Sequence, residues 1–246
     1  FTNSLLVGTD GTGTLSSATG NTGVGTSVLA ALTSGDRNTA IGIESMNDIT
    51  TGADNVAVGN NSLDETTTGT NNTAVGGYSL SENTTASGNT AVGNVSLYCN
   101  TTGANNTAVG FCSLRANTTA SNNTAVGFST LKVNTTGTCN IAMGVNALTA
   151  NTTGNNNVAI GFCANATAVD RNDNTAIGFE ALKVNTGIGN TAVGKSAADS
   201  NTSGTGITAI GNRALCSNTT GANNTAMGMC AMRTSTTGAN NTAVGM

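Results

Sequence analysis

A five-residue signature recurs along the chain at a nearly fixed step. Asn-Thr-Ala-Val-Gly at 106–110 returns at 123–127, and every step between copies is 17 residues except one of 16. A fixed period of this length predicts a solenoid, in which each repeat forms one coil and packs only on its neighbours. Copies or close relatives begin at Ser4, Asn21, Asn38, Asn55, Asn72, Asn89, Asn106, Asn123, Asn140, Asn157, Asn174, Asn190, Ile207, Asn224 and Asn241.

The pattern within each repeat indicates a short strand followed by turns. The second and fourth signature residues are Thr and Val or their relatives, which is the period of two that is typical of a strand. An apolar residue eight positions after the signature Asn, such as Leu97, predicts a second inward-facing segment. Asn-Thr-Thr-Gly, as at 100–103, then supplies a turn. We therefore predict an all-β fold, a parallel β-solenoid (β-roll) with about 14 coils of 17 residues, as one domain over 1–246.

Stacked coils bring equivalent residues together, and each such set is called a column below. We expect the Val and Leu columns to form the interior ladder and the signature Asn residues to hydrogen-bond along the stack, as Asn ladders do in cross-β structures. By alternation, the Ala column should face away from the Val side. Its small size is consistent either with sequence drift among duplicated repeats or with the close approach of another backbone.

The composition excludes several functional classes. The chain of 246 residues has 33 Gly, no Pro, Trp or His, and only 8% charged and 3% aromatic residues, which favours a thin, regular core. Its 8 Lys and Arg are scattered, so no basic patch for nucleic acid is expected, and no apolar run is long enough to span a membrane. Without His there is no imidazole base or His ligand, and no column stacks Asp. We predict no enzymatic activity, cofactor or metal site.

The short motif itself resembles a known class of repeat. Thr73–Gly76 and Thr175–Gly178 are similar to the x-Ala-Ile-Gly repeats of YadA-like heads in trimeric autotransporter adhesins, and Asn-Thr-Ala-Val-Gly arrays occur in tail-fibre-like proteins. The resemblance implies a parallel β-roll, often trimeric, on a cell or virion surface, with an adhesive or spacer role. The period of 17 residues and the six Cys depart from the usual pattern of those heads.

The cysteines leave two alternatives open. No C-x-x-C pair occurs, which argues against a zinc or thiol redox site. Cys99 lies one coil before Cys112, and Cys216 lies one coil before Cys230. These two pairs are candidates for disulfides between adjacent coils, and free thiols are the alternative.

Four phenylalanines share the column directly after the signature Gly. Because this column elsewhere holds Asn, Lys and Gly, we expect it to lie at the surface. It is either a shielded aromatic ladder that stabilises the middle coils or a subunit-contact stripe. Its members are Phe111, Phe128, Phe162 and Phe179.

Asn-x-Ser/Thr triplets recur at two turn positions. If these turns face solvent, they offer regular rows of N-glycosylation acceptors on the outside of the solenoid. The candidates are Asn71, Asn83, Asn100, Asn117, Asn134, Asn151, Asn201 and Asn218.

The sequence as a whole predicts an extracellular structural protein at a cell or virion surface. Neither end has an evident polar cap, so the domain is either part of a longer array or a stiff rod that assembles with other copies head to tail into a filament, and we predict the filament. One alternative is a trimeric adhesin or phage tail-fibre repeat that binds a cell-surface glycan. A second alternative is an ice-binding solenoid, although the turn reads Asn-Thr-Thr and no face is purely Thr.

Overall fold

The fold is all-β and repetitive. The computed structural model describes residues 5–7 and 17–246, and in these residues it contains strands and turns but no helix. The chain divides into two compact units, Phe1–Asn122 and Asn123–Met246. Each unit is a parallel β-solenoid with one three-residue strand per coil, which confirms the predicted fold class.

The strands coincide with the Thr-Ala-Val part of the signature. Unit 1 contains β1 (Leu5–Val7), β2 (Thr22–Val24), β3 (Thr39–Ile41), β4 (Val56–Val58), β5 (Thr73–Val75), β6 (Thr90–Val92) and β7 (Thr107–Val109). Unit 2 contains β8 (Thr124–Val126), β9 (Ile141–Met143), β10 (Val158–Ile160), β11 (Thr175–Ile177), β12 (Thr191–Val193), β13 (Thr208–Ile210), β14 (Thr225–Met227) and β15 (Thr242–Val244).

Within each unit, consecutive strands pair in register, so identical positions lie side by side. In unit 1, Ala91 of β6 pairs with Ala108 of β7. The single 16-residue step leaves the register intact, since Thr175 still pairs with Thr191. That coil reads Asn-Thr-Gly at 185–187 in place of Asn-Thr-Thr-Gly, so it is the turn that absorbs the missing residue.

The strand side chains face opposite to the prediction. The Ala column is the inward one, with Ala91 and Ala108 fully buried, whereas Ile41 and Met143 of the Val column are each 41% exposed. A 17-residue coil encloses little volume, and the fully buried Leu of the same coil, such as Leu97, occupies much of it. Because interiors are close-packed, only a small strand residue fits opposite. The Ala column is therefore small for packing reasons.

The Leu column faces inward as predicted, but it lies in turns. Leu97 and Leu114 are fully buried, and their φ angles of 52° and 48° are left-handed. A left-handed residue with a side chain costs about 1–2 kcal/mol, which the burial of a Leu side chain, about 1.5–3 kcal/mol, offsets. The Leu97 N–H also donates to Ser113 O of the next coil at 2.9 Å, so the turn is bonded to its neighbour as a strand would be.

The signature Asn residues form the predicted ladder in the interior. The Asn72 Nδ2 group donates to Asn55 Oδ1 at 3.1 Å and to Ala86 O at 2.9 Å, and Asn72 Oδ1 accepts from the Asn89 N–H at 3.0 Å. Asn72 is fully buried, so its amide replaces hydration with protein hydrogen bonds. In unit 2 the same bond joins Asn157 to Asn140 at 3.0 Å.

The Asn residues of the turn form a second buried ladder. Asn117 Nδ2 donates to Asn100 Oδ1 at 2.8 Å and to Ala120 O at 3.0 Å, and Asn100 Nδ2 donates to Asn83 Oδ1 at 3.0 Å. These side chains are fully buried, so this column belongs to the core. The ladder is interrupted in unit 2 at Ala168, and there the buried Asn151 Oδ1 has no hydrogen-bond partner.

The Gly that ends each strand allows successive coils to approach closely. Gly76 has a φ of 131°, which favours glycine, and a Cβ at this position would lie 2.7 Å from the carbonyl carbon and oxygen of Gly93. The recurrence of Gly in the signature therefore has a steric cause.

Candidate functional site

Charged side chains gather on the outer surface of unit 1. The Asn61 side-chain amide donates to Glu44 Oε2 at 2.8 Å and to Asp64 Oδ2 at 3.0 Å. Burial raises the pKa of Asp64; the Asn61 hydrogen bond opposes this rise, and repulsion from Asp48 and Glu44 adds to it. Burial likewise raises the pKa of Glu65, and neighbouring carboxylates add to that shift. Ionisation of these carboxyl groups is therefore disfavoured on this surface.

Arg37 and Asp54 form an ion pair on the surface of unit 1. Arg37 Nε and Nη2 donate to the two carboxylate oxygens of Asp54 at 2.6 and 2.8 Å. This bidentate contact lowers the pKa of Asp54. Over residues 5–7 and 17–246, no group of three or more Cys, Asp or Glu side chains is arranged to hold a metal ion.

The phenylalanine column lies at the surface, as predicted. Phe111, Phe128, Phe162 and Phe179 are 48%, 52%, 44% and 46% exposed. In unit 2, the rings of Phe162 and Phe179 stack with centroids 5.2 Å apart and planes at 13°, and Lys195 Nζ lies 5.7 Å from the centroid of the Phe179 ring. This stack supports the stabilising interpretation for these two residues, and the subunit-contact interpretation stays a prediction.

The cysteines are free thiols in the structure. Of the two alternatives, the candidate bridges Cys99–Cys112 and Cys216–Cys230 are not formed. The two members of each pair stand at different positions of the coil, so the register does not stack one on the other. Burial raises the pKa of Cys99, and the negative charge of Glu82 adds to this effect. The thiol form is therefore favoured at this site.

The predicted glycosylation rows are mostly inside the protein. Seven of the eight candidates belong to the buried turn ladder, where a glycan on Nδ2 has no room and would break the ladder bond. The seven are Asn83, Asn100, Asn117, Asn134, Asn151, Asn201 and Asn218.

The eighth candidate, Asn71, is exposed and belongs to a different column. It lies directly before the signature Asn and has a φ of 58°. Four further Asn-Asn-Thr triplets place an exposed Asn in this column. Asn is enriched among the non-glycine residues that adopt left-handed φ angles. The Asn-Asn doublet was therefore the sequence signal that could have identified this column. These residues are Asn105, Asn122, Asn223 and Asn240.

The outward side of the strands is a feature that the sequence reasoning missed. We call it the strand face: the first and third residues of each strand, which are Thr, Val, Ile or Met from β2 to β15. Both positions are partly or fully exposed throughout these strands. The face carries hydroxyl and apolar groups and no charge.

Comparisons with known proteins add no family to this description. No protein-family model matches the sequence, and no curated protein matches it. In the part of the chain that the structure describes, no helix has the length and apolarity needed to cross a membrane. The similarity of the signature to YadA-like head repeats stays a prediction.

Proposed function

We propose that this protein is an extracellular structural element whose coils form a stiff solenoid and whose copies join head to tail into a fibre. The observation that carries the proposal is the contact between successive coils. It uses the same backbone groups at each step, as in the bonds from Thr90 N–H to Asn106 O at 2.8 Å and from Thr208 N–H to Asn224 O at 2.8 Å. The extracellular placement is supported by the resemblance to surface adhesins and tail fibres.

The coil contact is suited to propagation because its two sides differ. One side of a coil presents the strand N–H of its Thr, and the other side presents the carbonyl of its signature Asn. A contact between unlike surfaces that repeats by translation does not close on itself, and it generates filaments. Any coil that stands at the end of an array presents one of these sides to a second chain.

The Asn ladders support the same proposal. A docking coil gains both backbone bonds and buried amide bonds, such as the 2.8 Å bond between Asn117 Nδ2 and Asn100 Oδ1. Stability in such an array is a sum of nearest-neighbour terms, so addition of a coil from another chain resembles addition of a coil from the same chain.

The test is sedimentation and negative-stain microscopy of the purified chain at increasing concentration. We expect particles whose length grows in steps of one chain. In the preceding coils, the N–H at this strand position donates to the next coil, as the Thr225 N–H donates to Asn241 O at 2.8 Å. Thr242→Pro removes the corresponding N–H of β15. This variant should shorten the particles, and Thr242→Val, which keeps the N–H, should not. Single chains at every concentration would refute the proposal.

A second candidate is lateral association of three chains, as in an adhesin head or a tail fibre that binds surface glycans. The exposed phenylalanines favour it, namely Phe128, Phe162 and Phe179 in unit 2 and Phe111 in unit 1. The stacked rings of Phe162 and Phe179 cover each other on one face, which leaves less ring face for stacking on a sugar and favours contact with another chain. Phe128→Ser should convert trimers to single chains in sedimentation equilibrium if this candidate holds.

A further inference from the structure

We propose that the strand face binds ice, with the ordered water of the crystal surface as its ligand. This activity is independent of fibre formation and rests on different groups. The starting point is a difference between two sets of threonines that the repeat places on different sides of the coil.

The turn threonines have their hydroxyl groups engaged within the protein. Thr84 Oγ1 donates to Thr101 O at 3.1 Å, and Thr101 Oγ1 donates to Thr118 O at 3.1 Å. In unit 2, Thr202 Oγ1 donates to Thr219 O at 2.8 Å. These hydroxyls stabilise the stack and are poorly placed to bind a ligand.

The strand threonines have hydroxyls that are free for an external partner. Among the described residues, the hydroxyls of Thr191 and Thr208 make no hydrogen bond with another protein group, and both residues are partly exposed. The longest unbroken run of such residues lies in unit 2 and comprises Thr175, Thr191, Thr208, Thr225 and Thr242. An apolar side chain stands two residues after each of them, in the order Ile177, Val193, Ile210, Met227 and Val244.

The geometry of the face is that of a two-dimensional lattice. Thr191 pairs in register with Thr208, and Val193 pairs in register with Ile210. Neighbouring strands lie about 4.8 Å apart, and the first and third residues of a strand are about 6.6–6.8 Å apart. A partner that contacts several rungs at once must therefore repeat in both directions at these distances. Ice is a hydrogen-bonding solid with comparable repeats, whereas a single small ligand would leave most of the lattice unused.

The chemistry of the face agrees with this ligand. From β2 to β15 it contains Thr, Val, Ile and Met and no charged side chain, so it does not suit an ionic mineral or a charged polymer. It also has no aromatic ring, and aromatic faces are what a crystalline polysaccharide would stack on. Hydroxyl and methyl groups in alternation can hold water molecules in fixed positions without binding them as strongly as charges would.

The experiment measures thermal hysteresis of the purified full chain and its incorporation into slowly growing ice. The double variant Thr191→Tyr, Thr208→Tyr places two bulky side chains on the face while keeping residues that favour strands. The control Thr220→Tyr makes the same change at an exposed residue of the turn. Far-UV circular dichroism and melting curves establish that all three proteins fold.

We expect hysteresis and enrichment in ice for the unmodified chain and for Thr220→Tyr, and a several-fold loss of both for the double variant. Exclusion of the folded, unmodified chain from ice would overturn the proposal. Full activity of the double variant would also overturn it. The same holds if the double variant loses only self-association or binding to crystalline cellulose. Fibre formation is measured separately by sedimentation and microscopy of the unmodified chain, so the two proposals fail independently.

Discussion

Removal of one Asn of the interior ladder should destabilise the coils on both sides of it. In Asn72→Ala, the Asn89 N–H loses its acceptor, and the side-chain bonds to Asn55 Oδ1 and Ala86 O disappear. The Ala86 carbonyl still accepts from Asn83 Nδ2 at 3.2 Å, so it is not left without a partner. The main cost is thus one buried N–H without a partner and two lost hydrogen bonds.

The size of the effect follows from these losses. A buried group left unsatisfied costs about 1–3 kcal/mol, and each of the two lost hydrogen bonds costs about 0.5–1.5 kcal/mol net. The total is about 2–6 kcal/mol. Water has no direct access to the site, because Asn72 is fully buried. Since about 1.4 kcal/mol is a tenfold change, amide protection in the adjoining coils should fall about 30-fold or more.

The assay is native-state hydrogen exchange read by mass spectrometry on peptides that cover β5 and β6. Asn94→Ala is the matched control, because Asn94 is exposed and its Nδ2 donates to Gly77 O at 3.1 Å on the surface. We expect the control to change stability by less than about 0.5 kcal/mol. Equal protection in the two variants would show that the ladder does not hold the coils together, and the reasoning would be wrong.

Three further changes test other parts of the structure. Gly76→Ala should cost at least about 2–4 kcal/mol in urea unfolding, since its Cβ meets backbone at 2.7 Å, whereas Gly77→Ala meets only a side-chain nitrogen at 3.0 Å and should be mild. The pKa of Asp64 is raised in the fold, so its contribution to stability is present at low pH and is lost as pH rises through that pKa. We therefore expect the melting temperature to rise less in Asp64→Asn than in the unmodified chain when the pH is lowered from about 7 to about 4. A double-mutant cycle of Phe179→Leu and Lys195→Met should give a coupling of about 0.5–1 kcal/mol for the 5.7 Å contact.

Much of the fold could be predicted from the sequence because a solenoid depends on nearest-neighbour contacts. A repeat of 17 residues places Thr90 beside Thr107 and Asn72 beside Asn89, and the sequence alone identified the strand, the parallel stacking and the signature Asn ladder. The surface position of Phe128 could also be predicted, since its column tolerates polar residues. The proposed assembly, extracellular placement and resemblance stay predictions.

The direction in which each column faces was decided by the tertiary structure. A period of two shows that Ala91 and Val92 point to opposite sides, but it does not show which side is the interior. That choice depends on the volume enclosed by the coil, which Ala91 shares with the fully buried Leu97. The turn Asn residues, such as Asn100, face inward because buried backbone carbonyls there need amide donors. Both causes arise only when the coil closes on itself, and the constant small size of the Ala column was the one sign of them along the chain.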